Sequence, residues 1–243
     1  MQAWGLTDPG MVRTQNQDFY SLIKLGRDQF LAIVCDGMGG AKSGNIASKM
    51  AADVFIEEVK RNARGSLRPE RIDVTLRDAL ELANKAVYEQ SQLDEEYQGM
   101  GTTLVAAFFQ KDRVTVLNVG DSRAYYCTNS GITAVTTDHS LVEMMVQRGE
   151  LTREQAKSHP GKNLITRAVG TEQQVECDLF HLTMDKGSCL LLCSDGLSNV
   201  MSDQEILFEV VHGVHKKDCC QRLLHIANYR GAPDNVTIVL VSY

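Results

Sequence analysis

The apolar residues of this chain change their period along its length, and those changes predict its elements. Phe30-Leu-Ala-Ile-Val-Cys35 is a continuous, partly β-branched apolar run closed by Asp36-Gly37. It reads as a buried strand followed by a turn. Over residues 43–62 the spacing lengthens, and Ile46, Met50, Ala51, Val54, Phe55 and Val59 recur at three- and four-residue steps. That period places them on one face of a helix. Pro69, suited to a first helical turn, opens a second amphipathic helix carrying Ile72, Leu76, Ala79, Leu80, Ala83 and Val87.

Strand-length runs return at residues 102–109, 114–119, 123–127 and 132–135, with a turn at 110–113. Such short neighbours predict an antiparallel meander. A mostly helical insert is expected over residues 140–169, strands over 175–182 and 189–193, helices over 204–211 and 216–229, and a last strand over 236–241. Antiparallel strands interrupted by paired helices, without repeated βαβ alternation, indicate an α+β chain with helices outside the sheets. No repeat, charge block or Ser/Pro-rich linker divides the sequence, so residues 1–243 are expected to form a single domain.

Charge and cysteine usage narrow the function classes. With 25 Lys+Arg against 31 Asp+Glu, the chain carries a formal charge of -6 and lacks the basic footprint of a nucleic-acid binder. Its longest apolar runs, 189–193 and 30–35, fall far short of the ~20 residues that span a bilayer. The opening Met1-Gln2-Ala3-Trp4-Gly5 is unlike a secretory signal, so a cytoplasmic location is expected. Seven cysteines, odd in number and without a Cys-x-x-Cys pair, read as reduced thiols. Cys219-Cys220 is expected on a helix with one thiol buried.

The candidate chemistry lies in aspartates at strand ends. Three apolar runs end in an aspartate followed by a tiny residue, at Asp36-Gly37, Asp121-Ser122 and Asp195-Gly196; Asp234 precedes the last strand and Asp18 an early one. Gathered together, such carboxylates repel unless a cation offsets them, and an oxygen-only ligand set suits Mg²⁺ or Mn²⁺. At any one position, Asp-Gly is equally good turn chemistry. No cysteine has an arginine at Cys-x₅-Arg spacing, which disfavours a cysteine phosphatase. Carboxylates and metal alone leave a phosphatase, a nuclease and a structural ion site open.

Asp36-Gly-Met-Gly-Gly40, Gly101-Thr-Thr103, Gly120-Asp-Ser-Arg123, Asp138-His-Ser140, Ser194-Asp-Gly196 and Asp234-Asn235, in this order, resemble the metal-dependent Ser/Thr protein phosphatases of type 2C. So does the opening Gly10-x-x-Arg13-x-x-Asn16-Gln17-Asp18. The stretch Gly149 to Pro160, with Asn163 to Gly170, is similar to the flap of compact bacterial members. The resemblance implies a four-layer α-β-β-α sandwich, with two central, mainly antiparallel sheets flanked by helix pairs and a flap over about residues 140–169.

It also implies a binuclear centre of two tight Mn²⁺ or Mg²⁺ ions bridged by Asp36, with Asp195 and Asp234 on the first and the Gly37 carbonyl on the second. Asp18 would act through water, Asp121 with Asp195 would hold a third, weaker ion, and Arg13 would bind phosphate, its planar fork suiting a dianion. The implied activity is hydrolysis of phosphoserine and phosphothreonine in proteins by a metal-activated water, opposing a bacterial Ser/Thr kinase; a monomer is expected. Competing readings are a silent relative that binds phosphoproteins and a two-metal phosphodiesterase or nuclease. Two positions depart from many relatives: Met38 stands where eukaryotic members carry a histidine, and Gln17 where many carry Glu. Among the remaining residues to weigh, Asp138-His139-Ser140 reads as a capping turn, His159 as a flap loop residue, Gly101-Thr102-Thr103 as close packing behind the site, and Met144-Met145 as packing.

Overall fold

The structure, a computed structural model, describes residues 1–39, 43–213 and 215–243. Gly40, the last residue of the Asp36 motif, lies outside the described residues. The chain opens with β1 (Gln2–Asp8), β2 (Asp18–Lys24) and β3 (Gln29–Met38), and β3 shows why its apolar run has no polar gaps. Leu31, Ile33 and Cys35 join a core shared with helices, whereas Ala32 and Val34 join a core shared with a second sheet. Period-two alternation thus buries both faces of the strand.

The helices behind β3 are α1 (Gly44–Asn62) and α2 (Pro69–Ser91), placed as their period predicts. Ala47, Ala51, Phe55 and Val59 of α1, with Ile72, Leu76, Ala79 and Ala83 of α2, pack with Leu31, Ile33, Phe108 and Leu117. There follow β4 (Gly101–Thr102), β5 (Leu104–Gln110), β6 (Arg113–Val119), β7 (Arg123–Thr128) and β8 (Gly131–Ala134). The rest is α3 (Leu141–Gln147), α4 (Arg153–Ser158), β9 (Asp178–Thr183), β10 (Cys189–Cys193), α5 (Asp195–Ser198), α6 (Asp203–His212), α7 (Cys219–Tyr229) and β11 (Val236–Ser242).

Two antiparallel sheets result, one ordered β1-β11-β10-β7-β8 and the other β2-β3-β5-β6-β9, with β4 against β3. Val34, Val105, Ala107 and Phe109 of one meet Leu190, Leu192, Val239 and Val241 of the other. On the outer face of the first sheet, Ile206, Val210, Leu223 and Ala227 of α6 and α7 cover Tyr125, Leu191, Cys193 and Leu240. The architecture is the four-layer α-β-β-α sandwich, α+β in class, with antiparallel strands throughout.

Several local expectations are corrected. The meander is split: β5 and β6 form a hairpin, but at Gly120, with φ of 103°, the chain leaves that sheet, and β7 pairs with β10 in the other. No turn follows Cys35, because Gly37 and Met38 pair with Thr102 and Gly101 and carry β3 onward. The 140–169 insert is helical only in α3 and α4, returning through bridges Ser140↔Ile165 and Thr102↔Val169. β9 starts at Asp178 rather than 175, and residues 216–218 form a separate 3-10 turn before α7. Both Cys219 and Cys220 are buried, and all seven cysteines are free thiols.

Candidate active site

β2 and β3 bring the first two aspartates together, because Asp18 and Asp36 are register partners across the pair. The Gly-Thr-Thr stretch then fixes the Asp36 peptide from both sides. The Asp36 amide donates to Thr103 Oγ1 at 2.9 Å, while its carbonyl accepts from Thr103 N and from Thr102 Oγ1, each at 2.9 Å. Gly37 is required by close approach: a Cβ there would lie 2.1 Å from the Gly44 carbonyl oxygen and 2.5 Å from that of Gln17. The residue after the aspartate is therefore tiny for packing, not for a turn.

Asp18 is buried, and its Oδ2 accepts from Ser194 Oγ and Thr237 Oγ1, both at 2.7 Å. Among the described residues, its Oδ1 has no hydrogen-bond partner. A buried, unpartnered carboxylate oxygen is costly unless something is meant to meet it. Asp195 begins α5, and its Oδ2 accepts from Asn199 Nδ2 at 2.9 Å. Gly196 lets α5 touch β11's approach, since a Cβ there would sit 1.9 Å from the Asn235 carbonyl oxygen.

Asp234 Oδ2 receives Arg13 Nη2 at 2.8 Å, an ion pair of two half-exposed side chains. Asn235 holds the loop that carries Arg13: its Nδ2 donates to the carbonyls of Pro9 at 3.0 Å and Gln15 at 2.9 Å, and its Oδ1 accepts from Gln17 N at 2.8 Å. The stitch joins residues 9–18 to the start of β11 and sets Arg13 beside the aspartates.

The carboxylates lie close enough to raise one another's pKa values. Asp36 is raised well above the ordinary carboxylate range, by burial first and then by Asp18, Asp195, Asp121 and Asp234. Burial lifts Asp18 to about 6 against the opposing hydroxyls of Thr237 and Ser194, and burial with Asp195 and Asp138 lifts Asp121 to about 7. Asp195 is raised as well, by burial and then Asp234. Among the described residues, no three His, Cys, Asp or Glu side chains stand in the arrangement of a ready-made metal cage. Fit to a hard divalent cation rests instead on the donor set: an all-oxygen, like-charged cluster with one buried orphan oxygen needs positive charge. Asp36, Asp195, Asp234, Asp121, Asp18 and the Gly37 carbonyl are the groups that could supply it with oxygens.

Asp121 does not make the hairpin contact with Arg123 that its sequence setting allows. Arg123 instead grips Asp138, with Nε to Oδ1 at 2.8 Å and Nη2 to Oδ2 at 2.6 Å. The capping role of the 138–140 turn holds at Ser140, whose Oγ accepts from Glu143 N at 3.2 Å to start α3. His139 does more than cap. It is 7% exposed, its Nδ1 accepts the Gly120 amide at 3.1 Å, and its Nε2 faces Asp178 Oδ2 at 3.2 Å. Accepting at Nδ1 assigns the proton to Nε2, which lies 3.2 Å from both Asp178 Oδ2 and Arg167 Nη1 and so donates to the carboxylate rather than accepting from the guanidinium; burial, the largest influence, lowers the ring's pKa. His159 ends α4 and accepts Gly161 N at 3.0 Å, a loop role.

Sequence reasoning missed Ser194 and Thr237, which hold Asp18, and the Asn235 stitch. Each lies one to three residues from a site aspartate, so the available signal was a run of small polar residues around Asp195 and Asp234.

The two-sheet sandwich, with aspartates clustered where β2, β3 and the approaches to α5 and β11 meet, matches the architecture of phosphatases of the metal-dependent type. The chain belongs to the protein phosphatase 2C family: the model "Protein phosphatase 2C" matches residues 12–224. It is 36% identical over 241 residues to a serine/threonine phosphatase stp of Listeria welshimeri, covering 99% of this chain and 95% of that one. It superposes on the serine/threonine phosphatase Stp1 from Staphylococcus aureus with TM-score 0.93 at 35% identity, covering 100% and 94% of the two chains. A second solved relative, the catalytic domain of the serine/threonine protein phosphatase PstP in complex with two manganese ions, matches with TM-score 0.83 at 31% identity over 98% and 96%. The activity is protein serine/threonine dephosphorylation, metal-dependent as in the family, with phosphoproteins as substrates. Among the described residues, no helix is long and apolar enough to cross a membrane.

Proposed function

We propose that the aspartate cluster would hold a binuclear Mn²⁺ or Mg²⁺ centre, with Asp36 shared by two tight ions, Asp195 and Asp234 serving the first and the Gly37 carbonyl the second. Asp18 would act through water, and Asp121 with Asp195 would hold a third, weaker ion. The observation that carries this reading is the set of four like-charged neighbours raising Asp36. When bound, the ions supply a water of lowered pKa and positive charge against the phosphoryl oxygens.

The chain's own residues do the rest. Thr102 and Thr103 immobilise the Asp36 peptide, so its carboxylate does not reorganise as charge moves to phosphorus. Ser194 and Thr237 occupy Asp18 Oδ2 and leave Oδ1 to accept from a water. Arg13 keeps further guanidinium N–H groups beside its Asp234 contact, and these orient the phosphoryl oxygens. Met38 has no proton to give, and a water is the donor proposed for the leaving serine or threonine oxygen. The two thiols nearest the aspartates in sequence are poor nucleophiles: burial raises Cys35 well above its usual range and Cys193 to about 12.

Residues 1–243 act in this reading as one catalytic domain, monomeric and cytoplasmic, with residues 140–169 as a flap that meets the phosphoprotein. The partner kinase is a bacterial Ser/Thr kinase, whose phosphorylated products and own phosphosites are the substrates. The test is p-nitrophenyl phosphate hydrolysis with and without Mn²⁺ beside an Asp36→Asn control. Metal-independent turnover, or turnover that survives in the control, would sink the centre.

A further inference from the structure

We propose that His139 is a positioning residue that clamps Gly120, the residue before Asp121, and ties it to residues 164–167. The inference deepens the assignment of Asp121 and rests on it. The clamp has two jaws on one residue: the Gly120 amide donates to His139 Nδ1 at 3.1 Å, and the His139 amide donates to the Gly120 carbonyl at 2.9 Å. Asn118 Nδ2 adds a third contact to that carbonyl at 3.2 Å. Gly120 cannot be replaced to strengthen the turn, because its φ is 103° and a Cβ would meet Thr103 Cγ2 at 2.6 Å.

On the far side of Asp121, Ser122 Oγ shares a hydrogen bond of 2.7 Å with Thr103 Oγ1, the atom that also accepts the Asp36 amide. Asp121 therefore stands between two anchors, one leading to Asp36 and the other to His139. Behind His139, Nε2 meets Asp178 Oδ2 at 3.2 Å, and Arg167 Nη1 donates to Asp178 Oδ1 at 3.3 Å. The His139 carbonyl accepts Thr166 N, and Leu141 N donates to the Leu164 carbonyl, both at 2.8 Å. The strip that closes the α3–α4 segment is thus fastened to the main chain of His139, and its Arg167 Nη1 lies 3.2 Å from Nε2 of the imidazole that holds the Gly120 amide. An apolar side chain at 139 would leave the buried Gly120 amide unpaired.

The two imidazole nitrogens can be separated by substitution. Asparagine offers an acceptor near the Nδ1 position and glutamine a donor near Nε2. The experiment uses the full chain and compares His139→Ala, His139→Asn, His139→Gln, Asp121→Asn and the His139→Ala/Asp121→Asn double variant. Turnover of p-nitrophenyl phosphate at saturating Mn²⁺ is read beside amide hydrogen exchange of Gly120 in metal-free protein. We expect His139→Ala to lower kcat about tenfold with KM nearly unchanged, as for loss of a ligand-orienting contact. Gly120 exchange should quicken at least about tenfold in the same variant, as a freed amide does. His139→Asn should restore most of both, His139→Gln little, and the double variant should match Asp121→Asn alone.

Additive losses in the double variant would overturn the route through Asp121. Equal Gly120 exchange in the asparagine and glutamine variants would overturn the clamp, even if His139→Ala fails to fold. Normal turnover in Asp121→Asn would sink the assignment of Asp121 itself, and the exchange readout would still decide the clamp.

Discussion

Along β3, Leu31 to Cys35 are fully buried between α1–α2 and the opposing sheet, whereas Asp36, one residue further, faces four like charges. Each large apolar side chain of the first stretch contributes about 1.5–3 kcal/mol by leaving water. The aspartate is destabilised in the same strand. The contrast teaches that the apolar part of the strand carries stability and the acidic end spends some of it. Three hydrogen bonds between the Asp36 main chain and Thr102 and Thr103 hold Asp36 where its charge is unfavourable. The site is preformed because the core behind it is already closed.

The sharpest way to separate the two regions is to substitute in each. Asp36→Asn should cut turnover about a thousandfold, roughly 4 kcal/mol of transition-state stabilisation, while the metal-free protein melts no lower than wild type, because one repelling charge is gone. Steady-state kinetics and a melt in chelator check both halves. Leu31→Ala should do the reverse: about 2–5 kcal/mol of stability lost by urea unfolding, with kcat of the folded fraction unchanged. A Leu31→Ala enzyme with normal stability and poor turnover would break the comparison.

Arg13→Ala tests the rim, since its ion pair to Asp234 is half exposed. Phosphopeptide binding should weaken by about 1.5–3 kcal/mol, as for a charged hydrogen bond, with Mn²⁺ affinity little altered. A normal KM would remove Arg13 from the phosphate site.

The smallest expected effect is a pH dependence of the metal-free protein. Asp18 and Asp121 rise from 3.8 in the unfolded chain to about 6 and about 7 when folded. Between those values the unfolded state has released protons that the folded state still binds, so stability falls as pH rises through the window from 3.8 to about 7. The melting temperature in chelator should drop by a few degrees across it, and saturating Mn²⁺ should flatten the slope. A metal-free melting temperature that climbs through this range would contradict the repulsion.

Much of the contrast was legible in the sequence. The unbroken run 30–35 signalled a strand covered on both faces, and the aspartates at 36, 121, 195 and 234 stood out because each follows or precedes such a run. The turn expected at Asp36-Gly37 failed because the small residue answers to Gly44 and Gln17 packed against it, contacts that no local pattern encodes. The meander failed for a similar reason. Periodicity identifies a strand but not its partner, and β7 finds β10, some 60 residues on, rather than β6. Ser194 and His139 lay inside the quoted motifs and Thr237 outside them, but the role of each comes from neighbours far along the chain, at Asp18 and Gly120, that no local pattern encodes.

The central claim, that the repelling aspartates form a metal centre organised around Asp36, is tested most directly by calorimetric titration of Mn²⁺ into metal-free wild type and Asp36→Asn. The account predicts two tight sites and a weaker third in the wild type, with the tight pair lost in the variant. Unchanged tight binding in Asp36→Asn, or no tight binding in the wild type, would contradict it.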